Sequence, residues 1–377
     1  MIHKVQKIGI NGLFIKWGVN AGTETYITNI IRPWYELDLH GFCFTLYCNQ
    51  LPPWWSGNKP FFRAEVYPAA KWLAGRIVLE QIFLPLTSFK KLDLLFNPGY
   101  VSSIFASTKQ IVTIHDGFAW HHLSEIGRLR SLYWRTFIPA SAKVASCVIA
   151  VSQSTADDVS RFCKIDHSKI TVIYEAGGHL GALNPSPLIL DRLGLCPSGY
   201  FHCVGFFKEI KNPWRILQGF KRYLEITPIN ERKKLVLVGH VGGRSGVKIL
   251  SAARSIPGVT VAGRVSDDEL VAIYEGSAGL IFPSLYEGFG IPILEAQSLG
   301  CPVVISNISS MPEVAGEAAI FVNPLNIEDI SRAMLNLGGN NLNDLRQAGR
   351  KNFKRFSWQE ASDKTLALIK RIATIDP

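Results

Sequence analysis

The sequence lacks any long uninterrupted apolar run. No window approaches the roughly eighteen apolar residues that a helix needs to cross a bilayer, and the N-terminal stretch MIHKVQKIGINGL has no apolar signal core before the first predicted strand. We therefore expect a cytoplasmic protein. With 377 residues, 47% of them hydrophobic and 19% charged, the chain is long enough to form two well-packed domains.

Cysteine is scarce and unclustered. The seven cysteines are odd in number, include no Cys-x-x-Cys pair and lie mostly in strand-like or apolar surroundings, so we expect them to be small buried hydrophobic residues. The adjacent His121 and His122 are too small a group to predict a zinc site. The sequence thus predicts no metal centre.

Acidic residues are fewer than basic ones, and the net charge of +10 is spread along the chain instead of forming a tail. This distribution argues against a nucleic-acid-binding arm and fits a site for anionic ligands or contact with an anionic membrane surface. Seven of the nine tryptophans fall in the first 134 residues, among many lysines and arginines, as at a bilayer interface or a glycan platform. Core packing is the competing interpretation for all of them except the adjacent Trp54 and Trp55.

Short apolar runs alternate with helical patterns along the chain, which is typical of β-α units on parallel sheets. A Gly- and Pro-rich interval at 175–187 separates two such series, so we predict domains at 1–180 and 190–356, with a final amphipathic helix at 357–377 that starts at Ser357. Parallel sheets bind ligands at the carboxyl ends of their strands. The predicted strands are 7–10, 42–48, 92–96, 111–116, 147–152 and 170–174, followed by YFHCVG, KLVLVG, VTVAG, GLIFPS, PVVIS and AAIFV.

Two carboxylates stand eight positions apart in PSLYEGFGIPILEAQSLGCPVV (283–304). Glu287 falls in the loop after a predicted buried strand, and Glu295 in the helix that follows. The helix start offers unpaired amides, and Gly288 and Gly290 let the backbone approach a ligand, which suits a diphosphate. Carboxylates beside a phosphate site need hydroxyl donors, so the pattern predicts a nucleotide-sugar. Solvated surface charges are the ordinary alternative.

The stretch 265–324, VSDDELVAIYEGSAGLIFPSLYEGFGIPILEAQSLGCPVVISNISSMPEVAGEAAIFVNP, resembles the retaining glycosyltransferases of the GT-B fold, family 4 among them. The resemblance covers nearly the whole chain. It implies an α/β protein of two Rossmann-like domains whose parallel sheets face a central cleft, with the second domain binding the nucleotide-sugar and the last helix packed on the first, acceptor-side domain. It also implies that Glu287 contacts the transferred sugar and Glu295 the ribose. Backbone amides of Gly288, Phe289, Gly290 and Ile291 would surround the sugar and the phosphates.

Two first-domain residues gain roles from the same resemblance. Gly22, in GVNAGTETYITNIIRPW, would meet the donor phosphate, although many relatives have two glycines where this chain has Ala21 and Gly22. Pro33 predicts that the helix after this turn is kinked or shortened. His115, at the end of IVTIHD, would lie near the transferred sugar and hydrogen-bond a sugar hydroxyl or the reacting centre. A tight turn and an ordinary polar strand end are the structural alternatives.

The stretch HCVGFFKEIKNPW resembles the family's diphosphate-binding loop. Lys211 occupies the position of one basic residue, but Phe206 and Ile210 stand where relatives have arginine. One of two phosphate contacts is therefore missing unless Lys208 replaces it; a solvated lysine is the alternative.

The glycines of KLVLVGHVGGRSG do not follow Gly-x-Gly-x-x-Gly, which disfavours a bound dinucleotide. The loop instead resembles the nucleotide side of the family site, with Arg264 and Val265 near the base. Ser266 and Glu269 predict a capping box for the next helix.

No Asp-x-Asp triplet occurs, so the metal-chelating donor site of the other main glycosyltransferase architecture is absent and catalysis is expected to need neither metal nor cofactor. The resemblance implies hexose transfer from a nucleotide-sugar, with GDP-mannose favoured, to a glycan or lipid-linked saccharide of a bacterial surface polysaccharide. A UDP-hexose donor, a nucleotide-sugar epimerase and a non-catalytic sugar-nucleotide binder remain alternatives. Peripheral contact with the inner membrane face is a further hypothesis.

Overall fold

The computed structural model describes residues 5–18, 21–121, 127–178, 180–338 and 342–375. The chain divides into two compact units, Met1–Glu175 with Ser357–Pro377, and Ala176–Phe356. Each unit is built on one parallel sheet, with helices between most consecutive strands; in the first unit, loops join β2 to β3 and β4 to β5. The predicted architecture of two parallel α/β domains is therefore confirmed.

The first unit contains seven strands in the order β3-β2-β1-β4-β5-β6-β7. All six predicted strands form, with ends that shift by up to two residues. The sequence did not predict β3, a strand at one edge of the sheet. The strands are β1 (Gln6–Gly12), β2 (Phe42–Cys48), β3 (Phe62–Val66), β4 (Leu94–Asn97), β5 (Lys109–Ile114), β6 (Cys147–Ala150) and β7 (Ile170–Val172).

The helices of the first unit include a long first helix that continues through Pro33 and ends at Glu36, so the expected shortening at Pro33 is wrong. Pro33 lies in the last turn, and its carbonyl still accepts a bond from Leu37 N at 3.2 Å, so the missing amide removes one bond without ending the helix. The helices are α1 (Ala21–Glu36), α2 (Leu73–Val78), α3 (Leu84–Thr87), α4 (Phe118–His121), α5 (Arg128–Val144) and α6 (Gln153–Cys163), and a π-helical turn, Leu79–Phe83, joins α2 to α3.

The second unit contains six strands in the order β10-β9-β8-β11-β12-β13, all of them predicted. The strands are β8 (Tyr200–Val204), β9 (Lys234–Val238), β10 (Val259–Gly263), β11 (Gly279–Phe282), β12 (Val303–Ser306) and β13 (Ile320–Val322). The helices are α7 (Leu188–Arg192), α8 (Pro213–Ile226), α9 (Gly243–Arg254), α10 (Asp267–Gly276), α11 (Ile291–Ser298), α12 (Met311–Ala315), α13 (Ile327–Leu337) and α14 (Asn343–Phe353).

The last helix, α15 (Trp358–Thr374), belongs to the first unit. Ser357 is its N-cap, as predicted, and its hydroxyl oxygen accepts a bond from Glu360 N at 3.3 Å. The helix buries Ile369 in the first unit's core and donates from Ser362 Oγ to the Ile30 carbonyl oxygen at 2.8 Å. A buried apolar face and a cross-helix hydrogen bond thus attach α15 to α1.

The burial of the tryptophans and of two cysteines differs from what the sequence predicted. Trp54 and Trp55 pack against the first unit's core instead of being the exposed exception, whereas Trp72 is 72% exposed. All seven cysteines are free; five are buried, Cys43 is half-buried and Cys196 is exposed. Nowhere in the described ranges does a helix combine the length and apolar character needed to span a bilayer.

Candidate active site

The loop between β11 and α11 contains the two predicted glutamates. Gly290 is the N-cap of α11, with φ of +103° and ψ of 49°, a backbone conformation that glycine adopts without steric cost. Among the described residues no side chain caps α11. Pro292 has no amide hydrogen, and Ile293 N donates to the Gly290 carbonyl oxygen at 2.9 Å. Strand, loop and helix are where the sequence predicted them. The helix start is thus arranged as at many anion sites.

Glu287 forms an ion pair with Lys211, whose Nζ lies 2.6 Å from Glu287 Oε1. Lys211 follows β8, and Glu287 follows β11, which is hydrogen-bonded to β8. Because the strands are parallel, their following loops meet at one edge of the sheet. Lys211 Nζ also lies 4.4 Å from the ring centroid of Phe282, a cation–π contact that fixes the ammonium further. The two side chains remain 16% and 15% exposed.

Two serines that the sequence analysis did not single out hold the loop. Ser309 Oγ accepts from Glu287 N at 3.1 Å and donates to the Glu287 carbonyl oxygen. Ser310 Oγ lies 3.0 Å from the Glu287 carbonyl oxygen and 2.8 Å from that of Phe289. These contacts fix the backbone on both sides of Gly288. The adjacent serines before a helix were a weak sequence signal, since such residues are common at helix starts.

The position where relatives have arginine after Gly205 is filled by a buried aromatic ring. Phe206 is fully buried in the second unit's core, and Ile210 is 8% exposed. Neither supplies a charge. Lys208 is exposed and remains a candidate for the missing phosphate contact. The paired loops are joined by a hydrogen bond from Leu285 N to the Ile210 carbonyl oxygen at 2.8 Å.

Asn212 fixes the turn that carries Lys211. Its backbone is left-handed, with φ of 62°, and its side chain is buried. Its Nδ2 donates to the carbonyl oxygens of Pro283, at 3.1 Å, and Pro324, at 2.6 Å. The direct neighbour of the predicted lysine is thus hydrogen-bonded to the end of β11, which sets the position of Lys211 relative to the glutamate loop.

Glu295 lies in α11, 8% exposed, and accepts a hydrogen bond from Tyr274 Oη at 3.0 Å. The pKa of Tyr274 is raised well above its usual value by burial and by the negative charge of Glu295, so the phenol stays protonated as a donor. Behind it, the buried His202 meets the Tyr274 ring edge to face, with centroids 4.7 Å apart. Burial lowers the pKa of His202 to about 3, so its ring is neutral.

The predicted base-side residues follow β10, two strands away from β8. Arg264 is exposed and Val265 half-buried. The capping box formed by Ser266 and Glu269 is confirmed; the Glu269 carboxylate accepts from Ser266 N at 3.0 Å. Arg264 and Val265 therefore lie directly before a well-defined helix start on the same sheet edge as Lys211.

In the first unit, His115 follows β5 and both of its ring nitrogens have partners. Nδ1 lies 3.0 Å from Glu175 Oε1, and Nε2 lies 2.8 Å from the Pro98 carbonyl oxygen. Burial acts to lower the pKa of His115, but the hydrogen bond and charge of Glu175 outweigh it and the pKa is raised. An imidazolium donates to both oxygens. The sequence analysis missed Glu175, because it lies 60 residues away in the chain.

Gly22 is exposed in the first turn of α1. A Cβ at this position would meet no atom within 4 Å among the described residues. Packing therefore does not require a glycine here, and the space beside the turn is open to a ligand.

In the second unit, Lys211 contacts Glu287, and the amides of 288–291 follow Glu287 directly in the chain. Glu295 lies in α11, which begins at Ile291. Gly22 and His115 belong to the first unit. Within the described ranges no group of three or more His, Cys, Asp or Glu side chains is arranged to hold a metal ion.

Two family models match the chain. The one described as Glycosyl transferases group 1 covers residues 198–355, and the one described as Glycosyltransferase Family 4 covers residues 49–176. Most of the second unit thus matches a glycosyltransferase group 1 domain, and most of the first unit matches a glycosyltransferase family 4 domain. The first of these matches contains every second-unit residue of the candidate site, and the second contains His115.

Curated relatives are similar over part of their length. The chain is 31% identical over 188 residues to the O-antigen chain mannosyltransferase B of Escherichia coli, which is 48% of each chain. It is 26% identical over 261 residues to the O-antigen chain mannosyltransferase RfbU of Salmonella typhimurium, covering 68% of this chain and 66% of the relative. The chain therefore aligns with about half to two thirds of these relatives.

Solved structures show the same fold at low identity. The sucrose-phosphate synthase from Thermosynechococcus elongatus superposes with a TM-score of 0.72 at 17% identity, over 97% of this chain and 99% of that one. Anabaena Alr3699/HepE, in complex with UDP and glucose, gives 0.71 at 16% identity, over 97% and 100%. Such neighbours identify the fold as GT-B.

Proposed function

We propose that the chain transfers a hexose from a nucleoside diphosphate donor to a hydroxyl of a glycan or lipid-linked saccharide, with retention at the anomeric carbon. The observation that carries the proposal is the Lys211–Glu287 pair, 2.6 Å apart, beside the uncapped start of α11. A cation beside a helix N-terminus suits a diphosphate, and a carboxylate suits sugar hydroxyls.

Donor binding exchanges the partners of this ion pair. A diphosphate oxygen takes the place of Glu287 as acceptor for Lys211, and a sugar hydroxyl takes the place of Lys211 as donor to Glu287. Neither charge is left unpaired, so the exchange avoids the penalty of isolating a desolvated ion. The contacts of Ser309 and Ser310 with the Glu287 backbone persist, because they involve only main-chain atoms of Glu287 and leave its carboxylate to exchange partners.

The leaving diphosphate is stabilised by Lys211 and the first amides of α11, and preorganised donors of this kind contribute roughly 2.7–4 kcal/mol each. The bond between the anomeric carbon and the phosphate oxygen breaks as the acceptor oxygen bonds to the same face of that carbon. The acceptor proton passes to an oxygen of the departing diphosphate, so the step needs no protein nucleophile and no metal.

Glu295 is assigned to the ribose hydroxyls. The protonated Tyr274 phenol donates to Glu295 Oε2 and orients the carboxylate, and Arg264 and Val265 are assigned to the base. By the family resemblance, Gly22 is assigned to the donor phosphate, and His115 to a hydroxyl or the reacting centre of the transferred sugar. Because both ring nitrogens of His115 already contact protein oxygens, a hydrogen bond to the sugar requires one of these contacts to open.

Mannose from GDP-mannose is the first choice, because relatives at 26% and 31% identity are named mannosyltransferases of O-antigen chains. The same names support a polysaccharide acceptor. A UDP-hexose is the nearest alternative, as Alr3699/HepE was solved with UDP and glucose. The buried Phe206, in the place of a family arginine, favours a second candidate, a non-catalytic sugar-nucleotide binder.

A donor panel tests the proposal. The purified chain is incubated with radiolabelled GDP-mannose, UDP-glucose and UDP-galactose, with and without bacterial membranes, and label in lipid and polysaccharide is counted. We expect transfer from GDP-mannose that needs membranes, with the donor's anomeric configuration kept in the product by NMR. Conversion of the donor without an acceptor would identify an epimerase, and nucleotide binding without any turnover would identify the non-catalytic binder.

A further inference from the structure

The segment 68–91 of the first unit, PAAKWLAGRIVLEQIFLPLTSFKK, buries Leu84 and Phe89 in an apolar cluster, but it also buries two polar side chains and exposes six large apolar ones. We call it the Trp72 segment; it comprises α2, the π-helical turn and α3. Its Glu80 and Gln81 are buried, at 3% and 4% exposure. Surface helices normally bury apolar residues and expose polar ones. The large apolar side chains that this segment exposes are Trp72, Leu73, Val78, Ile82, Phe83 and Leu86.

Hydrogen bonds of the buried polar side chains fix this orientation. Gln81 Nε2 donates to the Ser102 carbonyl oxygen at 2.9 Å, and Gln81 Oε1 accepts from Ile104 N at 2.8 Å. Glu80 Oε1 accepts from Asn11 Nδ2 at 3.4 Å. Because these groups would lose their partners if the segment rotated, the outward apolar face is a built feature of the fold.

The exposed charges of the segment have one sign. Lys71 lies at its start and Lys90 and Lys91 at its end, all exposed, and its one acidic residue, Glu80, is buried. The exposed apolar side chains of the segment therefore have exposed lysines before and after them in the chain. Protein interfaces are depleted in lysine relative to the rest of the surface, whereas lysines beside an apolar face are typical of helices that lie on anionic lipid.

We propose that the Trp72 segment docks on an anionic lipid bilayer, with its apolar side chains in the headgroup–acyl boundary and its lysines at lipid phosphates. Trp72 suits this boundary, because an indole has an apolar body and a polar N–H. The inference goes beyond the proposed reaction and rests on this surface alone. If the chain binds vesicles but transfers no sugar, the docking proposal still holds and the proposed reaction fails.

Vesicle co-sedimentation tests the proposal with the full chain. Vesicles of phosphatidylethanolamine with about one third phosphatidylglycerol are compared with vesicles of phosphatidylcholine at 0.1 M salt. We expect binding to the anionic vesicles only, decreasing as salt rises, because headgroup attraction is screened. Equal binding to both lipids, or to neither, would overturn the proposal.

Two matched pairs of variants locate the contact. Trp72→Ser with Leu86→Ser should weaken partitioning at least tenfold, whereas Leu188→Ser with Ile229→Ser, which are equally exposed in the second unit, should leave it unchanged. Partitioning that the first variant keeps at the wild-type level would contradict the assigned surface.

The charge variants follow the same design. Lys90→Glu with Lys91→Glu should weaken partitioning by more than about twenty-fold, because each lysine near an anionic surface contributes about fivefold and the new acids are repelled. Lys221→Glu with Lys351→Glu alters the net charge by the same amount from exposed positions of the second unit. Equal losses in both variants would mean that only total charge matters, and the assignment to this segment would be wrong.

Insertion is read from tryptophan quenching by brominated phosphatidylcholine doped into the anionic vesicles. Trp72→Phe should bind like the wild type and lose most of the quenching. Quenching that persists in this variant would place another tryptophan at the bilayer. Sedimentation velocity without lipid tests whether a second copy of the chain packs on the segment instead. A dimer that Leu86→Ser dissociates would overturn the membrane assignment.

Discussion

An acid–base pair at a strand end of the first unit, His115 with Glu175, and one in the second unit, Lys211 with Glu287, differ in how many of their hydrogen-bonding atoms the protein already engages. In the first unit, His115 uses one nitrogen for Glu175 and the other for the Pro98 carbonyl oxygen. In the second unit, Lys211 and Glu287 bond to each other and keep more contact with solvent. A saturated buried pair is suited to holding structure, and a shared, accessible pair to exchanging partners with a ligand.

The largest expected effect is on catalysis by Glu287. Glu287→Gln keeps the shape of the side chain and removes the charge that accepts sugar hydroxyls. We expect kcat to fall roughly 100-fold or more. The free energy of unfolding should fall by about 1–3 kcal/mol, because the mostly buried Lys211 loses its counter-charge although the amide oxygen can still accept its hydrogen bond. Transfer assays and urea unfolding measure the two. Glu275→Gln, exposed on α10, is the control, and an unchanged rate in Glu287→Gln would refute the catalytic assignment.

The pair of His115 and Glu175 in the first unit should instead affect the free energy of unfolding. The pKa of His115 is raised in the folded chain, so the stabilisation by its charged form is complete below the unfolded pKa, near 6.5, and is lost as pH rises through the folded pKa. His115→Gln should therefore lower the urea midpoint clearly at pH 6, by an amount equivalent to about 1–3 kcal/mol, and less at pH 9.

The groups that face His115 are Glu175, Asp116 and the rings of Tyr26 and Tyr100. His40→Gln, at an exposed position, is the matched histidine control and should show no such pH dependence. A midpoint difference for His115→Gln that stayed constant between pH 6 and pH 9 would show that the pair is not charged in the folded chain.

Lys211 should act on donor affinity. Lys211→Met keeps the length of the side chain and removes the cation, so nucleoside diphosphate should bind roughly tenfold more weakly by calorimetry, the loss expected for a charged hydrogen bond. Lys211→Arg should restore part of the affinity, and Lys221→Met should behave like the wild type. If Lys211→Met bound diphosphate and monophosphate as the wild type does, Lys211 would not be a phosphate contact.

The smallest effect should come from Tyr274. Tyr274→Phe removes the donor to Glu295 without changing the ring that packs on His202. A neutral-to-charged hydrogen bond of this size predicts about three- to tenfold weaker binding of GDP. In Tyr274→Phe, the ratio of the affinity for GDP to the affinity for its 2′,3′-dideoxy analogue should also decrease. A loss that is equal for both nucleotides would argue against a ribose role for Glu295.

The sequence predicted the parts of this molecule that depend on local pattern. Twelve strands followed from apolar runs, and the loop with Glu287 followed from a strand, glycines and a helix start. β3 was missed, because FRAEV is a short edge strand with exposed charges and no apolar run. Edge position is a property of the sheet, which the segment itself does not encode.

The missed site residues share one cause. Ser309 meets Glu287 across 22 positions, Tyr274 meets Glu295 across 21, and Glu175 meets His115 across 60. Each pair forms only in the folded unit. The loops after the adjacent strands β11 and β12 carry the first pair, the helices α10 and α11 carry the second, and the segments after β5 and β7 carry the third. The burial of Glu80 and Gln81 in the Trp72 segment was missed for a similar reason, because both residues have their hydrogen-bond partners in other parts of the first unit.

The central claim is that the loop between β11 and α11 binds the donor diphosphate by exchanging the partners of Lys211 and Glu287. Hydrogen–deuterium exchange of the full chain, with and without saturating GDP, tests it directly. We predict slower exchange at the amides of residues 286–293, and loss of that protection in Lys211→Met at the same GDP concentration. Unchanged exchange in this loop while calorimetry shows the site to be saturated would contradict the claim.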